Sequence, residues 1–165
     1  MPIDRTPLRR RLRAGCLVLA FAACGAFAQD NPLARRSAED PRNTLPGLWN
    51  GANLEQRSNC NATQNDGTRG TYAQYDVSFD RLAGTMGVDE TAITGLHCSY
   101  VGTYDDTDRF LPVWTGTYSC SDGKQGNFHS TGILATPNAM SLRLAIKLTG
   151  GETCDVNAIL GGSRF

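Results

Sequence analysis

The sequence predicts an all-β protein: an antiparallel eight-stranded barrel (or two-sheet sandwich) built from two tandem four-stranded repeats and held by two disulfides. Three observations predict it. First, apolar residues recur at every second position over long stretches, the pattern of strands with one buried face. Second, motifs of the first half return in the second. Trp49-Asn50-Gly51 matches Trp114-Thr115-Gly116, and Asp66-Gly67-Thr68-Arg69-Gly70-Thr71-Tyr72 matches Asp122-Gly123-Lys124-Gln125-Gly126-Asn127-Phe128. Internal repetition of this kind sets the strand count. Third, each unit carries two cysteines, and the spacing from Gly70 to Cys98 equals that from Gly126 to Cys154.

The N-terminus reads as a signal peptide over residues 1–28. Arg5, Arg9, Arg10, Arg11 and Arg13 form a positive region, followed by the apolar run 14–26. That run is short for a bilayer span and ends in small residues. Ala26-Phe27-Ala28 offers a cleavage site before Gln29. The alternative is Phe21-Ala22-Ala23-Cys24, which resembles a bacterial lipobox and would make Cys24 the acylated first residue. The expected location is periplasmic or secreted, or alternatively lipid-anchored in the envelope through Cys24. Residues 29–46 read as a flexible linker, punctuated by Pro32, Pro41 and Pro46. Residues 47–165 then form a single β domain, repeat one about 47–108 and repeat two about 109–165.

Within that domain the alternation is clear. Tyr75, Val77 and Phe79 interleave with Gln74, Asp76 and Ser78. Leu142, Leu144, Ile146 and Leu148 interleave with Arg143, Ala145 and Lys147. Expected strands are 48–57, 70–80, 83–89 and 92–104 in the first repeat, and 112–120, 126–136, 140–149 and 153–160 in the second. Gly84 and Gly87 weaken the third. Asp66-Gly67, Asp122-Gly123 and Gly150-Gly151 supply hairpin turns, since Gly and Asp tolerate the positive φ a tight turn needs. A barrel is preferred because closure removes the open edges at which sheets aggregate.

Charge excludes one class of partner. Of 16 basic and 16 acidic residues, five arginines and Asp4 lie in residues 1–28. That leaves 11 and 15, a net charge of −4. Nucleic acid is therefore not an expected partner. Outside residues 1–28 the cysteines are Cys60, Cys98, Cys120 and Cys154, an even set that reads as two disulfides in an oxidising compartment. No C-x-x-C pair exists, so metal binding is not expected. The preferred pairing is within repeats, Cys60–Cys98 and Cys120–Cys154. The alternative joins neighbouring strands, Cys98–Cys120 and Cys60–Cys154.

Gly47-Leu48-Trp49 at the first strand, with Arg164 near the end of the last, resembles the lipocalin (calycin) pattern. In that family the resemblance implies a cup for a small apolar molecule, with Trp49 and Arg164 as the barrel-closing pair. A guanidinium over an indole face is a favourable contact. The chain departs from the family in its tandem duplication and in having no helix after the last strand. Tyr118-Ser119-Cys120-Ser121-Asp122-Gly123 resembles the start of periplasmic lysozyme-inhibitor barrels, without the inhibitory serine-glycine loop of that family.

Other motifs have structural accounts. Asp105-Asp106-Thr107-Asp108 offers oxygen ligands of the type calcium takes, but one short run lacks the ligand count, so a solvated loop is expected. His97 and His129 are the candidate general bases, and their parity places both on outer faces. Asn61-Ala62-Thr63 is a formal glycosylation sequon. No nucleophile elbow or phosphate loop is present. The expectation is an exported, non-enzymatic barrel without cofactor, binding a small, largely apolar ligand. Tyr72, Tyr100, Tyr104, Tyr118 and Phe128 are its ligand-facing candidates. The alternative is a protein-interaction module, such as a hydrolase inhibitor or a structural envelope protein.

Overall fold

The alternating residues form eight strands in the computed structural model, which describes residues 40–108 and 111–164. They are β1 (Gly47–Ser58), β2 (Gly67–Asp80), β3 (Thr85–Ala92), β4 (His97–Asp105), β5 (Val113–Cys120), β6 (Gln125–Ala135), β7 (Ala139–Gly150) and β8 (Cys154–Ser163). Each strand pairs antiparallel with its neighbour in sequence, and β1 also pairs with β8, so the sheet closes into a barrel rather than a sandwich. The signal-peptide and Cys24 expectations, and residues 29–39 of the expected linker, lie outside the described residues.

Inward positions carry the core. Trp49, Tyr75, Met86, Val88, Tyr100, Trp114, Leu142 and Leu160 are fully buried. Trp114 and Phe128 pack edge-on at 4.4 Å between centroids, and Tyr100 meets Tyr118 at 4.9 Å. Burying one such side chain contributes about 1.5–3 kcal/mol, so this cluster anchors the barrel. The β6–β7 register slips at two places, Gln125/Gly126 and Ser130/Gly132. The second slip lets Ala135 return to the inside.

Glycines allow the wall to curve. Gly102 and Gly116 face each other across β4–β5, and a Cβ on either would lie 2.0 Å from a backbone oxygen of the other strand. Gly51 plays the same part across β1–β8, where a Cβ would stand 1.8 Å from the Gly161 oxygen. Gly in a strand interior marks such close backbone approach.

The third strand begins later than the expected 83. Gly84 has φ +63° and sits in the turn. The Asp80 carboxylate accepts from the Leu82 and Ala83 amides at 2.9 and 3.0 Å, fixing that turn before β3 can start.

Two expectations are corrected. The disulfides are Cys60–Cys154 and Cys98–Cys120, not the within-repeat pairs. The reason is register: Cys98 and Cys120 are direct cross-strand partners on β4 and β5, and Cys60 follows β1 beside the start of β8. Both bonds lie at the end of the barrel that holds Ser58, His97 and Gly150, here termed the upper end. Two disulfides are consistent with an oxidising, exported location.

The second correction concerns the linker, expected to run to residue 46. Pro41–Thr44 forms a short helix, α1, at the lower end. Asp40 caps it by accepting from the Arg42 amide at 3.0 Å, and Pro41 occupies its first turn, where a missing N–H costs nothing. Thr44 and Leu45 are buried against the barrel.

Candidate ligand cavity at the disulfide end

Trp49, Gly51, Asn53, Glu55 and Arg57 share one face of β1. Trp49 belongs to the apolar core, but the same parity carries three polar side chains inward near the upper end. Glu90 follows Met86 and Val88 inward on β3 in the same way. These side chains border a cavity of about 350 Å³ that is also lined by Thr71, Ala92, Leu96, Cys98 and Tyr118, with Arg69 and Lys124 among its charged residues. The size lies within the usual range for small-molecule sites.

The polar groups are buried and mostly paired. Glu90 is 3% exposed and Asn53 is 5% exposed. Asn53 Nδ2 donates to both Glu90 oxygens at 3.1 and 3.2 Å, and to Glu55 Oε1 at 3.3 Å. The Tyr100 hydroxyl donates to Glu90 Oε2 at 3.1 Å. Arg57 is taken up by two acids: it lies 2.7 Å from Glu55 and 3.0 Å from Glu152. Asn65 on the loop above donates to the other Glu152 oxygen at 2.5 Å. Asn53 Oδ1 is buried without a hydrogen-bond partner, as is the hydroxyl of Tyr75, the cross-strand partner of Glu90. A buried polar atom without a partner costs about 1–3 kcal/mol.

Burial pushes the Glu90 carboxyl above its ordinary value. The Asn53 and Tyr100 hydrogen bonds pull the other way, and the nearby Glu55 carboxylate adds to the rise. The Tyr118 hydroxyl sits 2.6 Å from Cys120 Sγ and 3.6 Å from Cys98 Sγ. Disulfide sulfurs carry no proton, so the hydroxyl is the donor.

The five aromatic candidates are distributed unevenly. Tyr118 lines the cavity. Tyr100, Tyr104 and Phe128 are buried within the packed core. Tyr72 is corrected: it is 70% exposed on the outer wall. Tyr75 is buried on β2, and three positions along a strand reverse the face, so Tyr72 must point out. At the lower end the Arg164 guanidinium carbon lies 3.9 Å from the Trp49 ring centroid.

The remaining candidates lie elsewhere. His97 and His129 are exposed on outer faces. The Asp105 carboxylate accepts from the Thr107 amide and hydroxyl at 2.9 and 2.6 Å, while Asp106 pairs with Arg42 at 2.7 Å. Cys60, Glu152 and Cys154 lie close together, but the disulfide removes both thiolates as metal ligands.

Asn53, Glu55, Arg57 and Glu90 were not singled out from sequence. Following the parity of Trp49 and Val88 by steps of two would have found them. A larger, more open groove of about 670 Å³ runs along the outer wall past Tyr72 and Ile93, but none of its polar lining side chains is buried. The interior cavity is therefore the stronger site.

No protein-family model matches the chain, and no curated protein matches it. Among solved structures, a de novo designed fluorescence-activating β-barrel is similar, with a TM-score of 0.43 and 11% identity, covering 76% of this chain and 99% of that one.

Proposed function

We propose that this protein is an exported barrel that binds a small ligand at the disulfide end and acts by binding rather than catalysis. The observation that carries this reading is the 350 Å³ cavity, whose lining residues include the buried Asn53, with its unpartnered Oδ1, and the buried Glu90. A closed wall with a few convergent polar groups is what a small-molecule site requires. The ligand is not wholly apolar, because the centre of the barrel is filled by aromatic side chains and the open space is lined by Asn53, Glu55 and Glu90. Native mass spectrometry of the protein recovered from its source tests the reading. An added mass in the small-molecule range, lost on denaturation, is expected. A chain at its bare mass, which also gains nothing from a small-molecule extract of that source, would overturn it.

A second reading, a protein-interaction module, draws on the outer wall. Leu54 and Ile159 are cross-strand partners there, and Tyr72 and Ile93 follow along the same side, all solvent-exposed. Contiguous exposed apolar residues are a feature of interaction surfaces. Cross-linking in extracts of the source, with Tyr72→Ser and Ile93→Ser as the control, separates this reading from the first.

A further inference from the structure

We infer that the cavity takes a small organic cation, its ammonium group held by Glu90, Glu55 and Asn53 and its apolar body against Leu96 and Tyr118. The inference rests on the small-ligand reading above. Four observations converge on it.

The first is charge balance. Glu55, Glu90 and Glu152 bring three carboxyl groups to the buried cluster, and Arg57 brings one guanidinium, which Glu55 and Glu152 already occupy. Among the described residues Glu90 has no cationic partner; its hydrogen bonds come from Asn53 and Tyr100. Buried acids are normally paired.

The second is the unpartnered acceptor. Asn53 is 5% exposed and uses its amide nitrogen on the two glutamates, which leaves Oδ1 as an acceptor with no donor. Asn53 lines the cavity, and a turn of its amide presents Oδ1 to a ligand N–H there. An ammonium carries three donors and no acceptor, so it matches the acceptors that Asn53, Glu55 and Glu90 bring to one side of the cavity.

The third is the state of the basic residues. Arg69 donates to Asn65 Oδ1 at 3.0 Å, and Lys124 pairs with Asp122. Neither makes a contact with Glu90 or Glu55; Glu55 is paired with Arg57, which leaves Glu90 as the acid of the cavity wall without a cation among the described residues.

The fourth is electrostatic. Taking the Glu90 carboxyl out of water and setting it near Glu55 is unfavourable for its charged form. A cation relieves both burdens, and charge-assisted hydrogen bonds are the stronger class.

Three probes of one shape decide the sign of the charge: phenethylamine, phenethyl alcohol and phenylacetate. Each is titrated into the disulfide-intact protein by calorimetry, with backbone amide shifts at Thr94, Leu96 and Tyr118 reporting location. The expected result is that phenethylamine binds at least about tenfold tighter than the alcohol, with phenylacetate weakest. Glu90→Gln preserves shape and keeps one oxygen to accept from the Tyr100 hydroxyl and Asn53 Nδ2, losing the second Asn53 bond, and is expected to erase the preference for the amine. The charge series on the unmodified protein decides even if that variant fails to fold. Equal binding of amine and alcohol, preference for phenylacetate, or no binding of any probe would each overturn the cation. The small-ligand reading fails separately, on the bare mass described above.

Discussion

Trp49 and Arg164 share one acceptor, the carbonyl of Leu45. Trp49 Nε1 donates to it at 2.7 Å and Arg164 Nη2 at 3.1 Å, while the guanidinium covers the indole ring. Arg164 also donates to the Pro46 carbonyl. The pair therefore ties the first strand, the last strand and the segment after α1 into one closed lower end.

Removing the guanidinium should loosen that end. Arg164→Met loses a cation–π contact and two hydrogen bonds to carbonyls, a cost of about 2 kcal/mol. Arg164→Lys keeps the charge but not the planar fork, and should fall between. Urea unfolding checks this through the midpoint. An Arg164→Met midpoint equal to that of the parent protein would show that the lower end is held by packing alone.

The two disulfides should differ in worth. Cys98 and Cys120 are separated by 22 positions, and Cys60 and Cys154 by 94. On the loop-entropy model the short loop contributes about 3.4 kcal/mol and the long one about 4.7 kcal/mol. Cys60→Ser with Cys154→Ser should therefore lower stability by about 1 kcal/mol more than Cys98→Ser with Cys120→Ser. Denaturant titration of the two double variants gives the order, and the reverse order would refute the loop-length account. Proteolytic mapping without reduction should recover the same pairings.

The barrel class was legible because period-two alternation is a direct consequence of strand geometry. The disulfide pairing was not, because it depends on register across β4–β5 and on the β1–β8 closure, neither of which leaves a local mark. Trp49 and Arg164 could be paired from sequence through a resemblance. The polar cavity was missed for another reason. Asn53, Glu55 and Arg57 look like solvated strand residues, and only their parity with Trp49 shows that they point inward. Tyr72 is the reverse case: its aromatic ring suggests an inward position, but the parity of Tyr75 places it outside. Leu45 sits in a stretch whose three prolines suggest a linker and mask one short capped helix.

The curvature of the wall should tolerate no side chain at its tightest seam. Gly102→Ala and Gly116→Ala each place a Cβ about 2.0 Å from backbone of the neighbouring strand, where no rotamer can relieve it. Overpacking of this kind costs about 1–3 kcal/mol or more. Gly132→Ala is the control, since its Cβ would meet only the Arg143 side chain, at 3.7 Å. Thermal unfolding should show a large fall in Tm for the first two and little change for the third. A similar Tm for all three would mean that β4 and β5 can part without cost.

Glu90 should leave a pH signature of defined sign. Its folded-state pKa is raised, so the folded protein holds that proton more tightly than the unfolded chain does. The stability this contributes is fully present below the unfolded carboxyl value, about 4.3, and is lost as pH rises through the folded value. Asp40 acts in the opposite sense. The Arg42 side-chain hydrogen bond holds its pKa down, so its contribution is present at neutral pH and is lost on acidification. The whole-protein profile mixes such groups, and the difference between parent and Glu90→Gln isolates one. The glutamine keeps one oxygen as acceptor for Tyr100 and Asn53, loses the second Asn53 bond, and carries no charge. Its Tm should exceed that of the parent at neutral pH, and the two should approach each other as pH falls below about 4. An advantage that grows on acidification would mean that Glu90 is stabilised as a carboxylate in the ligand-free barrel. Saturating phenethylamine should shrink the neutral-pH advantage by stabilising the parent more than the variant, because a ligand that binds only the folded state raises Tm by mass action in proportion to its affinity.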